Sequence, residues 1–146
     1  MPLAFWIVPA IERVVVRGEG VISDREPVNL REALRADPRF VPSYWELLDL
    51  RAATDLALTH AGIVSVGTLN PYDPGVRRAL VAVADSVYGM ARMYQMARPP
   101  APDQFEVFRD WNRALAWLQT NEKDLPPPHA PPDWSTPSWS GSGPAQ

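Results

Sequence analysis

The sequence contains no cysteine, which excludes a disulfide scaffold, thiolate metal ligation and a cysteine nucleophile, and fits a reducing compartment such as the cytoplasm. No apolar run approaches the roughly 18 residues needed to cross a bilayer, so no membrane span is expected. The apolar start, MPLAFWIVPAIERVVV, lacks a basic leading segment and a small-residue cleavage site, and Pro2 and Pro9 interrupt it. It therefore reads as mature structure and not as a signal. Basic residues are scattered and the net charge is -3, which removes the electrostatic case for nucleic acid or an anionic membrane as the partner. Ser86, His60 and several aspartates supply the residue types of a hydrolase, but no Gly-x-Ser-x-Gly elbow positions them. With two histidines, one of them near the C-terminal end, no metal site, no cofactor and no catalytic residue are expected.

What is present is an alternation of short apolar runs with helical stripes, clearest in residues 77–98. Leu80, Val81, Ala82 and Val83 form a run too short for a helix. Asp85 and Ser86 then offer N-cap oxygens, and Val87, Met90, Ala91, Tyr94 and Ala97 recur at helical spacing. Upstream, residues 5–8 and 12–16 are β-prone and flank Pro9, Ala10 and Ile11, as an opening strand pair or a bent edge strand does. Arg17-Gly18-Glu19-Gly20 reads as a tight hairpin into a further strand at Val21 and Ile22. A phosphate loop is not expected there, since neither a third glycine nor a Lys-Ser/Thr pair follows.

Asp24 reads as the N-cap of a helix to about Ala36, with Pro27 in its first turn, Leu30, Ala33 and Leu34 inward and Arg31 and Arg35 outward. Residues 44–50 read as the central strand, ending near the carboxylate of Asp49, with residues 51–55 as the loop at its end. Asp49 and Asp55 are expected to fix that loop as hydrogen-bond acceptors. Thr59 caps a helix through Leu69 that Gly62 and Gly67 weaken, and residues 70–75 are a turn. Beyond the prolines at 99, 100 and 102, Gln104 to Phe108 alternates as a strand, and Asp110 caps a last helix. Proline fills seven of the positions 121–146, so this segment is expected to be disordered or extended, with the folded domain covering residues 1–120. The expected fold is α/β: a mixed, mostly parallel sheet of about five strands with about four helices and an N-terminal β-hairpin.

Several short segments carry a resemblance: Gly-Val-Ile-Ser-Asp at 20–24, Asp-Pro-Arg-Phe at 37–40, Leu-Asp-Leu-Arg at 48–51, Tyr-Gly-Met-Ala-Arg-Met-Tyr at 88–94, Val-Phe-Arg-Asp at 107–110 and Ala-Leu-Ala-Trp-Leu at 114–118. With them the chain resembles bacterial SpoIIAA-like, or STAS-like, domains, whose fold outline is shared with CRAL-TRIO lipid-binding domains. The resemblance implies a regulatory module that binds a protein, switched by phosphorylation of a serine after the central strand. Here that region reads Arg51-Ala52-Ala53-Thr54-Asp55-Leu56-Ala57, without the Asp-Ser-Ser of those regulators; Thr54 or Thr59 could substitute as phosphoacceptors, but the resemblance does not identify them as such.

Two functions follow as expectations. The first is a non-enzymatic, cytoplasmic interaction module that uses the end of the central strand (Arg51, Thr54, Asp55, Thr59) and the helix over residues 86–98 (Ser86, Tyr88, Met93, Met96), with an unidentified protein or a second copy as partner. Met93 and Met96 lie beside the main apolar stripe, and thioethers adapt to varied surfaces. The second is a small carrier holding an acyl or lipid-like ligand between that helix and the sheet. Trp134 and Trp139, set among prolines, are candidates to dock on such a surface.

Overall fold

The computed structural model describes residues 2–136. The chain opens with β1 (Leu3–Val8), antiparallel to β2 (Arg13–Ser23). The turn between them is a 3-10 turn, Pro9–Ile11, which begins on a proline whose missing N–H removes no bond. The hairpin therefore lies here and not at residues 17–20, as the glycines there suggested. Gly18 sits opposite Leu3 in an unbroken β2, and a Cβ on it would come within 2.6 Å of Leu50, 2.7 Å of Ile22 and 2.9 Å of Leu3. Gly18 marks a close packing contact.

From β2 the chain makes three successive crossovers: α1 (Arg25–Ala36) to β3 (Trp45–Ala57), α2 (His60–Thr68) to β4 (Arg77–Ala82), and α3 (Asp85–Ala97) to β5 (Gln104–Phe108). Strands β2 to β5 are parallel and lie in sequence order, so the crossovers step in one direction and leave α1, α2 and α3 on a single face. The main core forms there from residues such as Phe5, Val16, Leu30, Leu34, Leu50, Ile63, Leu80, Val87 and Ala91. Helix α4 (Trp111–Trp117) covers part of the opposite face, packing Ala114 and Leu115 on Leu47, Ala79 and Val81. The fold is thus α/β with a mixed, mostly parallel sheet, as expected.

The sheet has a sixth strand because the chain does not end its fold at Thr120. After a short 3-10 turn, Glu122–Asp124, it crosses the open face as a proline-rich strap and enters β6 (Trp134–Ser135), antiparallel to β1. The strand order is β5-β4-β3-β2-β1-β6. Trp134 stacks on Phe5 at 5.6 Å between ring centroids, and Thr136 is fully buried. Asp133 N–H donates to Phe5 O and Thr136 N–H to Leu3 O, while Ile7 N–H donates to the Asp133 carboxylate at 2.7 Å. An edge that would otherwise offer free backbone groups is closed by side chains as well as backbone. Trp139 lies outside the described residues.

Two expectations for α1 are corrected. Asp24 has helical backbone angles and no capping bond; Glu26 instead accepts from Ser23 N–H (2.7 Å) and Ser23 Oγ (2.8 Å), one half of a capping box. Arg31, expected on the outer face of α1, is buried at 3% exposure.

Beneath the helices lies a polar cluster. Arg78 on β4 donates to Glu46 on β3 (2.8 Å) and to Asp103 (3.2 Å); Tyr72 donates to Glu46 (2.6 Å), and Arg98 and Asn70 to Asp103. Burial opposes the Asp103 charge, but Arg78 and Arg98 hold its carboxyl below the usual range. Burial, reinforced by Glu46, pushes the Tyr72 hydroxyl well above its ordinary value. A depressed carboxyl stabilises the fold above its unfolded value near 3.8, and that stabilisation disappears as the pH falls through the folded value. Urea unfolding from pH 7 downward is therefore expected to show stability falling below about pH 4. Asp103→Asn is expected to cost about 3 kcal/mol at neutral pH by leaving Arg98 without its carboxylate and Arg78 with Glu46 alone, and to flatten the acid limb.

Candidate functional site

The outer half of β3 is where sequence and structure part most. Residues 51–55 are strand and not loop, paired with β2 through Ser23↔Ala57. The register shifts twice, between Arg17 and Glu19 and between Gly20 and Val21, so β3 uses two more residues than β2 over the same length. These are β-bulges, which re-aim side chains. Leu50, Ala53 and Leu56 all reach the core beneath the helices, while Arg51, Thr54 and Asp55 remain exposed.

Around this half-strand the expected residues divide into separate groups. The Ser86 hydroxyl donates to the Thr54 carbonyl at 3.2 Å, tying the start of α3 to β3. Asp85 and Ser86 do not cap α3; its N-cap is Ala84, with no side-chain bond, and Asp85 pairs with Arg109. The same guanidinium lies 4.7 Å from the centre of the Tyr88 ring and donates to Val83 O. Thr54, Ser86 and Tyr88 therefore share one end of the sheet. Thr59 is engaged elsewhere: its hydroxyl accepts from Gly62 N–H at 3.1 Å, as expected of an N-cap, and donates to the Asp24 carboxylate. Met93 and Met96 face outward on α3, at 53% and 73% exposure.

Arg51 lies on the opposite face, in a groove that sequence reasoning missed. It donates to both Asp49 oxygens (2.9 and 3.0 Å), and its guanidinium stacks 3.5 Å from the centre of the Trp111 ring. The hydrogen bond to Asp49 raises the Arg51 pKa. Asp49 also accepts from the Arg51 N–H, so it is the acceptor that was expected, though within a strand. Arg17 stands over Trp6 (4.9 Å), approaches Asp49 at 3.9 Å, and donates to the carbonyls of Pro126 and Pro127. Between these residues and the strap lies an open groove of about 850 Å³. The indole N–H groups of Trp6 and Trp111 are buried there without a described hydrogen-bond partner. The sequence signal was parity: Arg17 and Asp49 alternate with the core residues Val16 and Leu50, which turns them to the other face. Among the described residues, no cluster of three or more histidines and carboxylates is placed to hold a metal, and no helix is long and apolar enough to cross a membrane.

No family model matches the chain, and no curated protein matches its sequence. Among solved structures it is similar to an uncharacterized protein of the DUF3478 family from Shewanella loihica PV-4, at 16% identity and a TM-score of 0.47, over 73% of this chain and 83% of that one. The fold of that protein is SpoIIAA-like. The likeness concerns the path of the chain and transfers no residue's role.

The strap is held at its ends and by Arg17, which makes it separable from the sheet. Trp134→Ala is expected to cost about 2–3 kcal/mol and to accelerate tryptic cleavage after Lys123 while cleavage after buried Arg78 stays slow. Equal acceleration at both sites, read by mass spectrometry of timed digests, would show that strap and sheet open together.

Proposed function

We propose that the protein is a non-enzymatic, cytoplasmic regulatory or protein-interaction module. Its contact surface runs from Thr54, Asp55, Ser86 and Tyr88 at the end of the sheet along the outer side of α3. The observation that carries this reading is the two-sidedness of α3. Val87, Ala91 and Tyr94 fill its buried face, while Met93 and Met96 stand in solvent together with Val83 just before the helix, which is 55% exposed. Exposed thioethers on the outer side of α3, with an exposed valine ahead of its first turn, offer adaptable apolar surface of the kind that suits a protein partner, a second copy of this chain among the candidates. The cysteine-free composition supports the cytoplasmic assignment. The alternative reading, a carrier of an acyl or lipid-like ligand between α3 and the sheet, meets a pocket of about 70 Å³ there, roughly half the size of an apolar cavity that admits benzene.

The test is a photoreactive side chain placed at position 93 or 96 and irradiated in cells, with position 106 on β5 as an exposed control. One discrete protein adduct is expected from 93 and 96 and none from 106. The same adducts from all three positions, or none from any, would defeat the proposal. The double variant Met93→Glu, Met96→Glu is expected to abolish the complex while shifting stability by no more than about 0.5 kcal/mol per site, since both side chains are solvated.

A further inference from the structure

The pocket under α1 and α3 contains a guanidinium that no described carboxylate pairs with directly. Three guanidiniums are grouped there against two carboxylates. Arg78 and Arg98 divide Asp103 between them, and Arg78 and Tyr72 together engage both oxygens of Glu46. The third guanidinium, Arg31, makes one hydrogen bond, from Nη1 to the carbonyl of Val66 at 3.1 Å, and no ion pair with a described residue. It is 3% exposed and lines the pocket. Burial and the neighbouring Arg78 charge lower its pKa, outweighing the opposing pull of Tyr94, Glu46 and Tyr72, yet arginine does not release its proton in a protein. An always-charged fork with five donors is thus held among hydrocarbon with one hydrogen bond donated, an arrangement that is costly unless an anion joins it.

The walls define the anion. Apart from Arg31, Glu46 and Arg78, every lining residue is apolar or aromatic, including Leu30, Leu50, Ala91, Tyr94 and Phe105. The volume of about 70 Å³ exceeds the roughly 10–15 Å³ that one ordered water requires and falls well short of the roughly 150 Å³ that takes benzene. A planar carboxylate matches the guanidinium fork bidentately, and a tail of about two or three carbons fits the remaining volume against apolar walls. Glu46 lines the same pocket, but its oxygens are already occupied by Arg78 and Tyr72, which limits its repulsion of a second anion.

We infer that this pocket is a binding site for a short-chain monocarboxylate, with Arg31 as the counter-charge. It is independent of the outward surface of α3.

The test titrates the full chain with sodium propionate, its neutral isostere propionamide, and sodium chloride at matched ionic strength, following the thermal unfolding midpoint. A saturable rise with propionate alone is expected. No rise, or an equal rise with propionamide or chloride, would overturn the inference. Arg31→Met keeps an unbranched apolar stem and removes the charge, and it is expected to weaken propionate at least about tenfold; undiminished binding by this variant would overturn the site. Should the variant not fold, native protein saturated with carbon-13-labelled propionate decides the matter. Isotope-filtered contacts to the methyl groups of Leu30 and Ala91 are expected, and their absence would place the ligand elsewhere or nowhere.

Discussion

The buried ion pair between Arg78 and Glu46 is the constraint on which the sheet depends. The two residues are directly opposed in the pairing of β3 with β4, and Arg78 is opposed in turn to Phe105 on β5, so one transverse row crosses three strands. A slip of one residue would turn Arg78 to the other face and leave Glu46 as an uncompensated buried carboxylate, with Asp103 held by Arg98 alone. Apolar strands such as Ala79 to Ala82 tolerate several registers on hydrophobicity alone. The charged row admits one.

With that register set, the rest of the architecture follows from direction. Parallel strands added in order keep their helices on one side, and one short helix cannot cover the other. The remaining area, around Trp6, Val15 and Arg17, is covered by the proline strap. Proline suits this role because its fixed dihedral limits the entropy lost on docking, and because Arg17 needs only carbonyl acceptors, which proline supplies. Arginines over tryptophans, Arg17 on Trp6 and Arg51 on Trp111, recur around the groove. They bury ring faces while leaving charge at the rim.

Much of the layer order was legible from local pattern. The apolar run over residues 80–83, which marks β4 (Arg77–Ala82), the stripe of α3 and the strand over residues 104–108 follow a single local pattern, and the Asp110 and Thr59 caps are set by their own side chains. The failures share a cause. In the outer half of β3 the core residues Leu50, Ala53 and Leu56 recur every third position, because two bulges break the alternation that identifies a strand, and a broken strand reads as a loop. The glycines in β2 were taken for a turn because sequence does not separate a glycine needed for conformation from one needed for closeness, as at Gly18. Arg31 was placed outward because a charged residue is assigned to solvent by default, and its burial depends on tertiary neighbours. Residues 133–136 fell outside the expected domain because they have no core of their own: they pair with a strand more than 120 positions away, to which no local window refers.

That distance has a consequence for how the molecule is made. Leu3 N–H pairs with Thr136 across 133 positions, so β1 emerges from the ribosome long before the residues that shield it. During translation its outer edge stays open while β2 to β5 assemble beside it, and contacts of such long range are slow to form. Nascent chains on one messenger would present the same unguarded edge to one another. Prompt closure by residues 133–136 then becomes a matter of yield, decided by kinetics before the stability of the finished fold comes into play.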